Sequence, residues 1–293
     1  MNLLINKKDY ESYINNEITL NDISKKYGCT YSNITYQLKL FCEKNNLPNK
    51  RQIIKQNRID NYFDKIDTRN KAYILGFFLA DGCISNNRLS FSQIDIDSSI
   101  LYKIRNEIVP NSNHHICEVK SYKNKKTGYI SKSGKLLSIH SIHICKTLIK
   151  YFGLRKTYSN LSIKNIIPEN LMWDFIRGYF DGDGCISFSH INRKLKLKDG
   201  TEKIYHNINK QWFIISHTQN LLNEICEFMK KYDINTYVIQ EKRGFNYLIN
   251  TSSYKEIKKI YNNLYYVDCI CLERKKNKFE DLIKEMEYYE NTK

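Results

Sequence analysis

Proline, glycine and long apolar runs are scarce in this 293-residue chain, which has only three prolines and eleven glycines. No apolar stretch approaches the roughly 18 residues of a membrane-spanning helix, and the N-terminus lacks the apolar core of a signal peptide. The nine cysteines are odd in number and include no C-x-x-C pair, so we expect free thiols. These absences argue against a secreted or membrane protein. They predict a cytosolic one, in a bacterial or phage-infected cell, with an organelle matrix as the alternative compartment.

Acidic residues are also in the minority. The chain has 47 lysines and arginines against 31 aspartates and glutamates, which gives a formal net charge of +16. Much of this excess lies in residues 71–165, whose net charge is +10. A surplus of this size favours a polyanionic partner such as nucleic acid, although a lysine-rich solvated surface is the alternative. The length predicts about two domains, large enough to fold without a metal or disulfide.

Residues 1–48 predict a small helical domain. One helix begins at a Thr19 cap and ends at Gly28, and a second runs over residues 31–41. The pair resembles a helix-turn-helix, with a plain helical hairpin as the alternative. In the first interpretation the second helix presents three polar side chains to a DNA major groove: Tyr31, Asn33 and Gln37. The polar residues 49–70 predict a linker.

From residue 71 onward one pattern occurs twice. An apolar stretch ends in Asp81-Gly82, and a second one ends in Asp183-Gly184, 102 residues later. Each is followed by segments typical of strands and helices in the order αββαββα, so we expect a tandem duplication over residues 71–168 and 169–293. In the first copy a strand is expected over residues 136–144 and a helix over 145–152. In the second, the first two strands are expected over residues 185–189 and 211–217.

The two apolar stretches predict helices that pack unusually closely. Each has small residues four positions apart, Gly76 and Ala80 in the first copy and Gly178 and Gly182 in the second. Residues at i and i+4 share a face of a helix, so these positions let two backbones approach each other. We therefore expect these four residues to form the interface between the two helices.

That packing would bring Asp81 and Asp183 together at the C-terminal ends of both helices. Two carboxylates there repel each other and also meet two negative helix-dipole ends. Divalent cations held between them would relieve both effects. Hard oxygen ligands favour Mg²⁺, for which Mn²⁺ can substitute, and the backbone of Ala80 and Gly182 offers further oxygens. The alternative is a pair of ordinary Asp-Gly turns.

The paired stretches resemble the LAGLIDADG motifs of homing endonucleases, in the single-chain form with two motifs. The resemblance covers roughly residues 60–280. It implies an α+β fold in which two pseudo-twofold αββαββα halves form a DNA-binding saddle. It also implies a monomer that hydrolyses both strands of double-stranded DNA with Mg²⁺, leaving short 3′ overhangs at a long asymmetric site. The metal-binding acids of the family fall on Asp81 and Asp183. Leu79 departs from the commoner Asp, which the second copy has at Asp181.

The resemblance also implies one basic residue from each half near the scissile phosphates. Lys156 and Lys275 match best, with Arg155 and Lys276 as neighbouring alternatives. Such a lysine would offset charge in the transition state, while a plain surface lysine is the competing interpretation. Weaker candidates for ordering water are Gln93, His217 and Gln219.

Base recognition is expected from alternate exposed residues of the strands, although the strand register is open at this point. The candidates in the first half are Arg88, Ser90, Ser92, Lys120 and His140. The candidates in the second half are Arg193, Lys194, Lys196, Lys210, Lys242 and Arg243.

Three functions remain open. The first is an active, site-specific DNA endonuclease of a mobile genetic element. The second is a catalytically inactive relative that binds DNA as a regulator, and the third is a maturase for a group I intron RNA. The two intact aspartates favour the nuclease, since a protein that only binds has no need of neighbouring carboxylates.

Overall fold

A computed structural model describes residues 4–111, 114–124, 126–153, 161–196, 200–241 and 244–291. The helices are α1 (Lys7–Ile14), α2 (Leu20–Tyr27), α3 (Tyr31–Lys44), α4 (Lys50–Asn57), α5 (Arg69–Asp81), α6 (Ser99–Ile108), α7 (Ile142–Phe152), α8 (Met172–Asp183), α9 (Gln219–Lys230), α10 (Tyr254–Leu264) and α11 (Glu273–Asn291). The strands are β1 (Gly82–Ser85), β2 (Arg88–Ile94), β3 (Ile116–Val119), β4 (Gly134–His140), β5 (Gly184–Lys196), β6 (Glu202–Ser216), β7 (Val238–Gln240) and β8 (Tyr247–Thr251). None of the described helices is both long and apolar enough to cross a membrane.

The N-terminal helices surround a small core of their own. Ile23, Ile34 and Phe41 are buried there, apart from the main core of the molecule. The Thr19 side chain and Asp22 form a reciprocal capping box at the start of α2. Gly28 ends α2 with a left-handed backbone at φ +60°, which glycine adopts without strain. The two predicted helices are therefore present, and α3 extends three residues beyond its predicted end.

The segment predicted as a linker, residues 49–70, is only partly one. Its first part forms α4, but Tyr62, Phe63 and Ile66 are buried in the main core. His143 of α7 contacts the Asp64 carboxylate at 2.7 Å. The prediction was wrong for this second part because scattered apolar residues among charged ones show no helical or strand period. The apolar side chains are nevertheless buried against the sheet-forming half that follows.

Two antiparallel four-stranded sheets carry the rest of the fold. Their strand orders are β1-β2-β4-β3 and β5-β6-β8-β7, which is the same arrangement used twice. Gly82 pairs with Phe91 in the first sheet, and Gly184 pairs with Ile214 in the second. The two halves thus repeat with matched register, and the α+β fold with tandem αββαββα halves is confirmed.

The second half departs from the first in the length of its leading hairpin. β5 has 13 residues and β6 has 15, against four and seven for β1 and β2. Only residues 212–216 of β6 also pair with β8, so the remainder forms a two-stranded ribbon. The shorter predicted strands missed this ribbon because its sequence is lysine-rich and shows no regular alternation of apolar residues. The expected strand over residues 136–144 was also too long, since α7 begins at Ile142.

Contacts between α5 and α8 join the two halves. A Cβ built on Gly76 would lie 2.1 Å from the Phe175 carbonyl oxygen, and one on Gly178 would lie 1.9 Å from the Tyr73 oxygen. Neither position has room for any side chain. Away from the helices, Arg274 binds the buried Asp97 carboxylate with Nη2 at 2.8 Å, which adds a charged contact between the halves.

A methyl group at either glycine of this contact would force the helices apart. We expect Gly178→Ala to lower the free energy of unfolding by about 3 kcal/mol, since its Cβ meets backbone and no flexible side chain can yield. Denaturant unfolding measures this change. Gly244→Ala is the matched control, because its Cβ would have no neighbour closer than 3.8 Å. Equal stability of the two variants would contradict the packing.

Candidate active site

The C-terminal ends of α5 and α8 bring Asp81 and Asp183 to one place. A Cβ on Gly182 would lie 2.2 Å from the Ala80 Cβ and 3.3 Å from the carboxyl carbon of Asp81. The Asp81 carboxylate therefore reaches across to α8, one residue from Asp183. Both carboxylates also act on Tyr179, whose pKa burial and these two charges raise. Asp81 is exposed, whereas Asp183 is half-buried.

Different side chains hold the two carboxylates. The Gln93 amide on β2 donates to Asp81 Oδ2 at 2.7 Å. On the other side, the Tyr179 hydroxyl donates to the Ile215 carbonyl oxygen at 3.3 Å, and Asp183 lies near enough to raise the pKa of this hydroxyl. A cavity of about 230 Å³ opens beside Asp183. The site is thus built from matching positions of the two halves but with unlike neighbours.

Lys275 lies beneath this site, in a different environment from the expected phosphate contact. Its side chain is 7% exposed. The ammonium donates to the carbonyl oxygens of Phe180, Asp181 and Gly184 at 2.7 Å each, and lies 3.2 Å from that of Gly182. Burial lowers the pKa of this ammonium. Lys275 therefore caps the carbonyl end of α8 and offsets the negative end of its dipole.

A second buried charge lies beside Lys275. The Asp181 carboxylate accepts hydrogen bonds at 2.8 Å from the Tyr73 hydroxyl of α5 and from the Leu272 backbone N–H. Burial raises the pKa of Asp181 to about 7. The fully buried Arg177 donates to the carbonyl oxygens of Leu264 and Ile270. Together these groups fasten the chain before α11 to the α8 helix.

The other predicted basic residue of the site, Lys156, is not among the described residues. Its neighbour Arg155 also lies outside them, as do Lys242 and Arg243. Lys276, the alternative to Lys275, lies 4.0 Å from Glu280 at the start of α11. His217 borders the cavity beside Asp183, and Gln219 begins α9.

The predicted base-reading residues on β2 and β4 share one face of the first sheet. Leu89 and Phe91 point into the core, and the residues between them are exposed or half-exposed. Cross-strand pairing places Arg88 opposite His140. The residues on or beside this solvent face are Arg88, Ser90, Ser92, Lys120 and His140.

In the second half Lys194, Lys196 and Lys210 lie on one face of the β5–β6 hairpin, the face that also carries buried apolar residues. Lys210 pairs with Phe188 and lies two residues from the buried Ile208 and from the buried Trp212. Residues two apart in a strand point to the same side, so Lys210 lies on the core side of β6. Lys194 and Lys196 are exposed on the ribbon. They are an even number of residues from the buried Ile186, so they lie on the same side of β5 as Ile186. The backbone of Arg193 pairs with Tyr205. Lys194, Lys196 and Lys210 therefore lie on the ribbon, opposite in direction to the solvent face of the sheet, and their contact with DNA stays a prediction.

Sequence reasoning missed three residues that shape the site. Tyr179, Tyr73 and Arg177 stand inside or beside the two apolar helix stretches, for which the sequence predicted close packing alone. A signal was present in the repeat, because Tyr179 aligns with Phe77 and Arg177 aligns with Leu75. Such a polar substitution inside a duplicated buried helix marks a position with a hydrogen-bonding partner.

Asp181 offers a direct test of the buried polar cluster. We expect Asp181→Leu, which copies Leu79 of the first half, to destabilise the protein by about 1–3 kcal/mol, because two buried donors lose their acceptor. Asp181→Asn keeps an acceptor and removes a buried charge, so its free energy of unfolding at pH 8 should match or exceed the wild-type value. Denaturant unfolding of the two variants measures the difference. A lower free energy of unfolding for the Asn variant than for the Leu variant would contradict this assignment.

Comparisons with known proteins agree with this architecture. The model of the family described as LAGLIDADG endonuclease matches residues 176–286. No curated protein matches the sequence. The crystal structure of the I-SmaMI LAGLIDADG homing endonuclease bound to cleaved DNA is similar with a TM-score of 0.49 and 14% identity, covering 78% of this chain and 91% of that one.

Two further solved structures are similar at the same level. The homing endonuclease I-WcaI bound to its DNA recognition sequence has a TM-score of 0.47 and 16% identity, covering 74% of this chain and 90% of that one. The N-terminal LAGLIDADG domain of DUF199/WhiA has a TM-score of 0.40 and 15% identity, covering 71% and 90%. The family match thus covers most of the second half, which is similar to the LAGLIDADG endonuclease family, and the first half repeats the strand order of the second.

Proposed function

We propose that the protein is a monomeric, cytosolic, site-specific DNA endonuclease that cuts both strands of a duplex with a divalent metal ion. The observation that carries this proposal is the convergence of Asp81 and Asp183 at two adjoining helix C-termini. Each helix end adds roughly half a negative charge to its carboxylate. A pair of carboxylates in this position costs stability unless a cation compensates it.

The available donors fit Mg²⁺ or Mn²⁺. Among the described residues there is no cluster of three or more His, Cys, Asp or Glu side chains. The ligands would be the carboxylates of Asp81 and Asp183, with carbonyl oxygens of Ala80 and Gly182 as additions. Mg²⁺ binds in this way through one or two carboxylates while water and phosphate fill the other positions. When bound, such a cation neutralises phosphate charge and makes water a stronger nucleophile.

The protein's own groups then have separate tasks in phosphodiester hydrolysis. Water attacks phosphorus, the bond to the 3′ oxygen breaks, and that oxygen takes a proton, leaving a 3′ hydroxyl and a 5′ phosphate. Gln93 orients Asp81 through its amide hydrogen bond. Lys275 keeps α8 in register by binding its last carbonyls. Lys156, the counterpart of Lys275 in the first half, is the remaining candidate for a direct contact with a scissile phosphate.

The solvent face of the first sheet and the ribbon of the second half are the proposed DNA surface. Arg88 and His140 lie side by side on the first sheet, and lysines project from the ribbon of β5 and β6 on the second. At about 3.3 Å per residue, the 13 residues of β5 span roughly 40 Å, far beyond the first hairpin. We therefore expect a long and asymmetric footprint, extended on the side of the second half.

The N-terminal domain is proposed as an additional DNA-binding module. Tyr31 and Asn33 are exposed at the start of α3, and Gln37 is half-exposed one turn later. The turn at Gly28 between two capped helices has the form of a helix-turn-helix. This module would add affinity or fix the register of the protein on its target.

The nuclease is tested by selecting cleaved duplexes from a random-target library with Mg²⁺. We expect sequence-specific double-strand breaks from the wild type, and a loss of at least about 100-fold in Asp81→Asn and in Asp183→Asn, with duplex binding retained. Asp233→Asn is the control, because its side chain is 92% exposed and remote in sequence from both motifs. Cleavage by either active-site variant at the wild-type rate would contradict the proposal.

Other outcomes of the same selection identify the alternatives. Enrichment of a duplex by binding, without strand breaks, would contradict the nuclease function and support that of a DNA-binding regulator. Enrichment of structured RNA alone would support a maturase instead.

The helix-turn-helix is tested on the selected duplex. We expect the double variant Asn33→Ala, Gln37→Ala to weaken duplex binding by about 10-fold, since each base contact contributes about 1–3 kcal/mol of discrimination at most. The cleavage rate of bound duplex should not change. Asn262→Ala, an exposed Asn on α10, is the control. Unchanged affinity, measured by titration at fixed salt, would show that the domain does not read this DNA.

A further inference from the structure

One position of the internal repeat carries a different hydrogen-bonding side chain in each sheet. Arg88 of β2 pairs with Ser85 of β1, and Gln211 of β6 pairs with Ser187 of β5. Each of these serines follows the aspartate of its own motif by four residues. Arg88 and Gln211 therefore occupy equivalent positions, at which one half has a guanidinium and the other half has a carboxamide.

Both side chains project from the solvent face of their sheet. Leu89 next to Arg88 is buried, and so is Trp212 next to Gln211, so strand alternation turns Arg88 and Gln211 outward. Both residues are exposed, and neither side chain has a hydrogen-bond or ion-pair partner among the described residues. Arg88 has His140 beside it on β4, whereas β8 pairs with no residue of β6 before Trp212. The guanidinium and the carboxamide are thus both available to a ligand that covers the sheets.

The two groups match different bases of a DNA duplex. A guanidinium donates two hydrogen bonds, which suits the O6 and N7 acceptors of guanine in the major groove. A carboxamide has one donor group and one acceptor group, which suits the N7 acceptor and the N6 donor of adenine. Glutamine carries no charge, so it adds none of the attraction to phosphate that arginine provides. Base recognition is therefore the interaction with DNA that both positions can make.

The repeated register places the two positions symmetrically about the paired helices. Ser85 and Ser187 each lie three residues beyond the start of their strand, at Gly82 and Gly184. At about 3.3 Å per residue, both positions are roughly 10 Å outward from the helix ends. The major groove admits a two-stranded β-ribbon, so each hairpin can present its residue to a base pair there. The two base pairs are then equally distant from the centre of the target.

We propose that Arg88 and Gln211 are matched specificity residues, which recognise guanine and adenine respectively at two symmetry-related base pairs of the target. This inference rests on the DNA-binding part of the proposed function. The two half-sites differ at this pair of positions although the protein backbone repeats. In the reversed orientation the guanidinium would meet adenine and the carboxamide would meet guanine. The protein consequently binds its target more tightly in one orientation than in the other.

Selection of bound duplexes from a random library, in EDTA so that no cleavage occurs, tests this inference. We expect the wild-type site to carry guanine in one half and adenine at the matching position of the other. Replacing that adenine by guanine should weaken wild-type binding by about 10-fold, and Gln211→Arg should reverse the preference. Arg88→Gln should convert the guanine preference of the other half into one for adenine. Asn262→Arg, at an exposed residue of α10, is the control for the added charge.

Two results would overturn the base assignment. One is a Gln211→Arg variant that keeps the wild-type base preference at every position of the selected site. The other is an equal gain in affinity for all duplexes with a steeper salt dependence, which is the behaviour of a phosphate contact. A thermal midpoint of each variant within about 2 °C of the wild-type value shows that its fold is intact.

The proposed function and the base assignment fail in distinguishable ways. A wild type that enriches no duplex overturns both. A wild type that enriches a duplex but does not cleave it with Mg²⁺ overturns the nuclease, while the variants still decide the base assignment. Enrichment and cleavage by the wild type, with base preferences that neither variant changes, overturn the base assignment alone.

Discussion

Backbone contact between α5 and α8 is the constraint on which the rest of the structure depends. Gly76 and Gly178 each leave less than 2.2 Å for a Cβ before the opposite backbone, so the two helices touch with nothing between them. That distance sets how close Asp81 and Asp183 come. It also sets the separation of the two sheets, because each helix leads directly into the first strand of its own sheet. The catalytic chemistry and the proposed DNA surface thus share one geometric origin.

Such an interface concentrates unfavourable charge. Two helices end side by side, and their last carbonyls and two carboxylates are all negative or partly negative. The chain compensates beneath the site with Lys275, whose ammonium contacts three carbonyl oxygens of α8 and that of Gly184. Arg177 holds the neighbouring loop by two more carbonyls. These cations are buried and already bound to carbonyl oxygens, so they stabilise the helix end and are separate from the proposed metal ion and phosphate on the solvent side.

The sequence predicted those features that depend on local pattern. Small residues four apart and an Asp-Gly ending, repeated after 102 residues, were enough for the helix pair, the tandem halves and the candidate carboxylates. The role of Lys275 was not predictable, because its partners are backbone atoms far away in the chain. The ribbon of β5 and β6 was missed because its lysine-rich strands show no regular alternation of apolar residues. Tyr62 and Phe63 were missed for the related reason that tertiary burial left no local period.

Placing both halves on one chain has a further physical consequence. A symmetric dimer must carry every substitution in both copies, whereas a tandem chain can change one half alone. The second half of this chain differs from the first in three ways. It has the longer ribbon, it has Asp181 where the first half has Leu79, and it has Tyr179 where the first half has Phe77. All three changes lie in or against the elements that carry Asp183. The ribbon of the proposed DNA surface and the polar exchanges around the candidate carboxylate Asp183 therefore lie together, in the same half of the molecule.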